Sequence, residues 1–150
     1  MNSKKHRKIF LLLLMITYFL VGCTGRNLND QNTVAIRQTS LDYMEGWYEG
    51  NAERMGRALH PNLVKRRSEE RSDGSFFHQS SWQDMVNSTQ RGGGKMFPIA
   101  DRQIKVTILD VNNSIASVKV ESREYYDYLH LGKFDDKWLI INVLWDFKRK

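Results

Sequence analysis

Four histidines, the tyrosines, scattered carboxylates and one cysteine are the groups able to do acid–base, nucleophilic or metal chemistry in this 150-residue chain. His60 stands between an expected helix end and Pro61. There it is either a base or donor at a cavity mouth, or a cap on the last helical carbonyls, where a cationic or donor side chain is favourable. Asp127 and His130 lie three apart in an extended stretch, which puts them on opposite faces of a strand unless a bulge intervenes. They are therefore separate candidates rather than a dyad, each needing a partner from elsewhere, such as Tyr43, His60 or Trp145. His60, Asp127 and His130 are the candidate catalytic residues. His78 reads as a loop histidine, and no H-x-H or H-x-x-H spacing suggests a metal. There is no G-x-S-x-G elbow, and Gly92-Gly93-Gly94 follows a helix rather than a strand, so it is a flexible connector and not a phosphate loop. No cofactor is indicated. Lys65-Arg66-Arg67 has Glu69-Glu70 beside it, which reads as a solvated strand edge, with phosphate binding as the alternative.

These residues need elements to position them. Val34, Ile36, Leu41, Met44, Trp47 and Tyr48 recur at helical spacing, which predicts an amphipathic helix over 34–49. Gly50 ends it, Asn51 caps a second helix over 52–59, and Pro61 stops that one. A short strand over 62–67 and a turn at Asp73-Gly74 follow. Ser81 and Asp84 form a short acidic variant of the capping box for a third helix with Trp82, Met85, Val86 and Thr89 on its buried side. After the glycines the apolar period changes from that of a helix to that of a strand. Ile104, Val106 and Ile108 alternate, then Ala116, Val118 and Val120. The stretch 125–133 continues extended, and a last strand carries Leu139, Ile141, Val143, Trp145 and Phe147 on one face, away from Trp138, Ile140, Asn142 and Asp146. Helices first and an antiparallel meander last make an α+β domain. Tyr126, Tyr128 and His130 share one face of their strand, and Asp127, Leu129 and Leu131 the other; the pattern leaves open which face the helices cover. Most of Trp47, Trp82, Trp138 and Trp145 should be core. Any that line a cavity would suit a flat apolar ligand with a polar edge.

The net charge of +6 comes mostly from Lys4, Lys5, Arg7 and Lys8; without them 19 basic residues face 17 acidic ones, or +2. A domain so near neutrality is not built around a phosphate backbone, so nucleic acid is excluded as a partner. Disorder is excluded by 41% hydrophobic and 11% aromatic residues, and the lone cysteine excludes an intrachain disulfide. The basic start precedes an apolar run from Ile9 to Val21, about 20 Å as a helix against a hydrocarbon core of roughly 30 Å. That length suits a signal peptide. Leu20-Val21-Gly22-Cys23 resembles the lipobox of bacterial lipoproteins. The resemblance implies a signal peptide over 1–22 and diacylglyceryl attachment at Cys23; the polar stretch Thr24–Asn32 then makes 23–32 read as attachment point and flexible tether, with a domain over 33–150. The resemblance also implies a lipid-anchored place in the bacterial cell envelope, on the periplasmic or outer-membrane face.

A second resemblance rests on Tyr43, Gly46, Trp47 and Tyr48, on Leu59-His60-Pro61-Asn62-Leu63-Val64-Lys65-Arg66, on 127–131 (DYLHL) and on 138–145 (WLIINVLW). From about Thr33 onward the chain resembles the NTF2-like superfamily, with its SnoaL-type cyclases, and most closely its lumazine-binding branch. The resemblance implies a cone of three helices packed on a strongly curved antiparallel sheet, a pocket between them, and homodimerisation through the sheet. It implies no reaction, because the fold serves enzymes and non-enzymes alike. Tyr43, Trp47, Tyr128 and Trp145 are the expected pocket residues. The favoured function is binding or accessory, with a small hydrophobic or heteroaromatic ligand or a peptide segment of a partner. The alternatives are acid–base chemistry like that of ketosteroid isomerase or a dehydratase on a small cyclic substrate, and a purely structural dimeric envelope protein.

Overall fold

The computed structural model describes residues 28–148. The chain divides into two units, Met1–Asn32 and Thr33–Lys150. The leader and Cys23 lie outside the described residues.

Helix α1 spans Leu28–Glu49. It begins at Leu28 and not at Val34, so residues 28–32, expected in a tether, are helical. No Gly or Pro interrupts them, and Asp30 in the first turn complements the helix dipole. Ile36, Ser40, Tyr43, Met44 and Tyr48 are its buried stripe. Gly50, at φ +62°, allows the reversal into α2 (Ala52–Ala58), which Asn51 caps by accepting from Arg54 N at 2.9 Å. Arg54 then clamps the hairpin by ion pairs to Asp42, Glu45 and Glu49 on α1.

The strand after α2 is much longer than the pattern predicts. β1 runs Leu59–Arg71 straight through Pro61 and pairs antiparallel with β2, Gly74–Ser81. Pro61 is tolerated because the ladder of β1 with its other neighbour skips from Leu59 to Val64, so the missing N–H costs no bond there. Helix α3, Trp82–Gln90, has the expected capping box between Ser81 and Asp84. After a short 3₁₀ turn at Ile99–Asp101 the meander follows: β3 Lys105–Asn112, β4 Ile115–Glu121, β5 Tyr125–Phe134 and β6 Lys137–Phe147. Asp135 and Asp136 both take positive φ in the two-residue β5–β6 turn, a geometry that short polar side chains tolerate.

The six strands form one open sheet in the order β2-β1-β6-β5-β4-β3. The sheet is mixed rather than antiparallel throughout, because β1 lies parallel to β6. Strands so far apart in sequence have no hairpin to force an antiparallel pairing. Packed on it are the three helices, an α+β arrangement as expected.

The β5–β6 register shifts between His130 and Leu131, with Leu131 opposite Ile140 and His130 opposite Asn142. This bulge takes up Ile141 and reverses the alternation along β6. Trp138 and Ile140 are therefore buried, as is Val143 beyond the bulge, while Leu139 and Ile141 are not. A single alternating face through Leu139 and Ile141 is thus corrected.

Gly92–Gly94 is not a flexible connector. Gly94 N donates to Trp47 O at 3.1 Å, and a Cβ on Gly93 would lie 2.7 Å from that same carbonyl oxygen. The glycines let the chain after α3 lie directly against the end of α1.

Candidate functional site

Four elements bring charge and aromatic surface together. β5 pairs Asp127 with Val120 of β4 and Trp145 of β6, so Asp127 and Trp145 are direct neighbours across the ladder. β1 adds Lys65, opposite Val143 of β6. α1 lays Tyr43 over them. The Tyr43 hydroxyl donates to Asp127 Oδ1 at 2.7 Å. The Lys65 ammonium donates to the same Oδ1 at 3.0 Å and to the Tyr43 hydroxyl oxygen. It also stands over the rings of Trp145, at 4.5 Å, and Tyr43, at 5.2 Å. Asp127 is 1% exposed and the Lys65 side chain 11%. The other carboxylate oxygen, Oδ2, is buried and has no hydrogen-bond partner among the described residues.

This cluster forms one wall of a cavity of about 160 Å³. Trp47, Tyr125 and Trp145 supply aromatic walls, and Met44, Met85, Ser80 and Ser88 close it from the helices and β2. The volume is below that of a drug-sized pocket, which leaves room for one or two rings. Trp47 Nε1 is also buried without a well-formed hydrogen bond.

Burial drives the phenols upward. It holds Tyr43 well above its ordinary 10.0, with the Asp127 charge and hydrogen bond adding to the rise. Burial pushes Tyr125 up to about 12, the Glu124 charge adding to it. Burial raises Tyr48 as well, although its bond to Ser122 opposes the rise. Tyr43 is therefore a proton donor to Asp127 at neutral pH. These groups keep their protons to higher pH when folded than when unfolded, so the folded chain binds more protons above pH 10.0. Stability is fully present below that pH and falls as pH rises through the folded-state values. Alkaline titration should show phenolate absorbance and loss of circular dichroism rising together, with a shallower stability decline in Tyr43→Phe. Complete phenolate formation with an intact dichroism spectrum would contradict this.

Of the expected residues, Tyr43, Trp47 and Trp145 line the cavity and Tyr128 does not. Tyr128 is 45% exposed on the outer face with Tyr126 and His130, because the face carrying Asp127, Leu129 and Leu131 turns inward. His130 meets Asn142 there at 3.2 Å, on the opposite face from Asp127. His60 accepts from Asn62 N at 3.1 Å and stacks on Phe134 with centroids 4.5 Å apart; it lines no part of the cavity. Only Asp127 of the three catalytic candidates reaches the cavity. Lys65 went unrecognised in the sequence. Its signal was the alternation Leu63, Lys65, Arg67 along β1, hidden by the neighbouring acids that suggested a solvated edge. Among the described residues no three His, Cys, Asp or Glu side chains group to hold a metal, and no helix is long and apolar enough to cross a membrane.

Residues 31–146 match the model of a family described as "Putative lumazine-binding". The chain belongs to this family. Solved structures agree on its NTF2-like fold. An NTF2-like protein of unknown function from Shewanella baltica is 16% identical with a TM-score of 0.63, over 80% of this chain and 96% of that one. Another from Silicibacter pomeroyi is 13% identical with a TM-score of 0.65, over 80% and 98%. A third, from Methylobacillus flagellatus, is 19% identical with a TM-score of 0.59, over 79% and 94%. At these identities the likeness concerns the fold alone. No curated protein matches the chain.

Proposed function

We propose that this chain is a lipid-anchored envelope protein whose NTF2-like domain binds one small, flat ligand between α1 and the sheet. The observation that carries the binding reading is the cavity itself, with Trp47, Tyr125 and Trp145 around a buried, incompletely bonded Asp127. Aromatic walls with a few placed polar groups are the usual make-up of a small-molecule site. The family description supports a heteroaromatic ligand, and lumazine is the natural first probe. Calorimetry on the full chain in detergent should show saturable binding of lumazine that Ser88→Phe, which places a ring in the cavity, abolishes. Binding unaffected by Ser88→Phe would remove this cavity as the site.

The anchor rests on Leu20-Val21-Gly22-Cys23 behind a basic, apolar leader. In a bacterial host, Cys23→Ala should leave the detergent phase and change in size. A variant that still partitions with detergent at unchanged size overturns the anchor. A homodimer through the outer sheet face, where Tyr128 and Leu144 are exposed, belongs to the same reading. A monomer mass by light scattering would remove it.

A second reading, acid–base chemistry on a small cyclic substrate, rests on Asp127 alone as base, with Oδ2 free and Tyr43 as the neighbouring donor. Exchange of α-deuterium into a bound cyclic ketone should then be lost in Asp127→Asn. Exchange unchanged by that substitution excludes the reading.

A further inference from the structure

Both donors that reach Asp127, the Tyr43 hydroxyl and the Lys65 ammonium, land on Oδ1. Nothing among the described residues reaches Oδ2, although the side chain is 1% exposed. A buried carboxylate oxygen without a donor is costly, and the cost is recovered when a donor arrives. Lys65 already supplies the counter-charge, at 3.0 Å and held over the Trp145 ring. An incoming molecule therefore has to bring a donor but not a charge. The volume of about 160 Å³ and the aromatic walls restrict it to one or two flat rings.

Resting on the cavity reading above, we infer that the site selects neutral aromatic or heteroaromatic rings that carry an N–H or O–H donor on their edge, with Asp127 Oδ2 as the acceptor that reads it. This makes Asp127 a specificity-determining residue through Oδ2 as well as an ion-pair partner of Lys65 through Oδ1. It also separates two ligand sets that shape alone treats as equal. Rings of the same outline with a donor edge recover that cost, whereas rings with an acceptor or blank edge leave Oδ2 unmet and gain nothing from it.

Indole and benzofuran make the test, because they match in size, shape and neutrality and differ in one edge group, N–H against O. Ligand-observed NMR titrations on the full chain in detergent should show indole binding about 10-fold or more tighter than benzofuran, as a hydrogen bond to a charged acceptor requires. In Asp127→Asn the carbonyl oxygen can take over the two bonds now made to Oδ1, leaving an amide N–H₂ where Oδ2 stood. The preference for indole should then collapse to parity or reverse. Near-equal affinities in the unaltered chain overturn the inference while leaving the cavity reading intact. A preference that persists undiminished in Asp127→Asn overturns it as well, since the discrimination would then come from elsewhere in the wall. If neither compound binds, or Ser88→Phe binds both unchanged, the cavity reading itself fails and this inference fails with it. Circular dichroism on the variant guards the comparison, and Asp127→Glu, which keeps the carboxylate, should retain a preference for indole.

Discussion

Replacing Lys65 with Met should destabilise the domain by about 3–5 kcal/mol. The reason is what remains behind rather than what is removed. Methionine is close to lysine in length and keeps the contact with the Trp145 ring, so little packing is lost. Asp127, however, is 1% exposed and Lys65 is the cation that pairs with it. Without it the carboxylate keeps one donor, the Tyr43 hydroxyl, in a site water barely reaches. Breaking a buried pair from one side leaves an uncompensated charge, whereas removing both charges together costs far less. The double variant Lys65→Met, Asp127→Asn should therefore recover most of the loss. Chemical unfolding of the three proteins checks this. A single variant within about 1 kcal/mol of the parent, or a double no better than the single, would mean that solvent screens the pair and that Asp127 is not held in a dry site.

Gly93→Ala should cost about 2–4 kcal/mol, through two effects at one position. Its φ of +38° lies where a side chain is strained, and the added Cβ would stand 2.7 Å from the Trp47 carbonyl oxygen and 3.0 Å from the indole ring. That carbonyl already accepts from Gly94, so it cannot turn away without losing the bond that ties the loop to α1. Trp47 is also a cavity wall, so the substitution should weaken ligand binding along with the fold. Gly74→Ala is the control. It too has positive φ, at +134°, but its Cβ would meet nothing within 4 Å, so it carries backbone strain alone. The strain at +134° is the larger of the two, so a Gly93→Ala loss below about 1 kcal/mol in thermal unfolding would show that the close approach to Trp47 contributes nothing.

The parts of this protein legible in the sequence are those governed by local rules. The buried stripe of α1, the Asn51 and Ser81 caps, the α3 capping box and the alternation of Ala116, Val118 and Val120 all follow from periodicity and short-range hydrogen bonding. So does the separation of Asp127 from His130 onto opposite faces, since β5 carries both without a bulge between them. Together with the blocks around Tyr43, 59–66 and 138–145, these were enough for the α+β class and the family. Other features depended on neighbours that lie far away in the chain. That β1 lies parallel to β6 is decided by pairing partners some 80 residues apart, which no local pattern reports. The Ile141 bulge exchanges the inner and outer faces of half of β6 because of a register shift against β5. The chemistry of the cavity is of the same kind. Tyr43, Lys65 and Asp127 come from α1, β1 and β5; Tyr43 and Asp127 are candidates in the sequence, Lys65 is hidden in a basic run, and no local pattern joins the three. Their meaning arises only where the three converge, because burial and mutual distance, not residue type, turn an ordinary carboxylate into an acceptor with one oxygen satisfied and the other free.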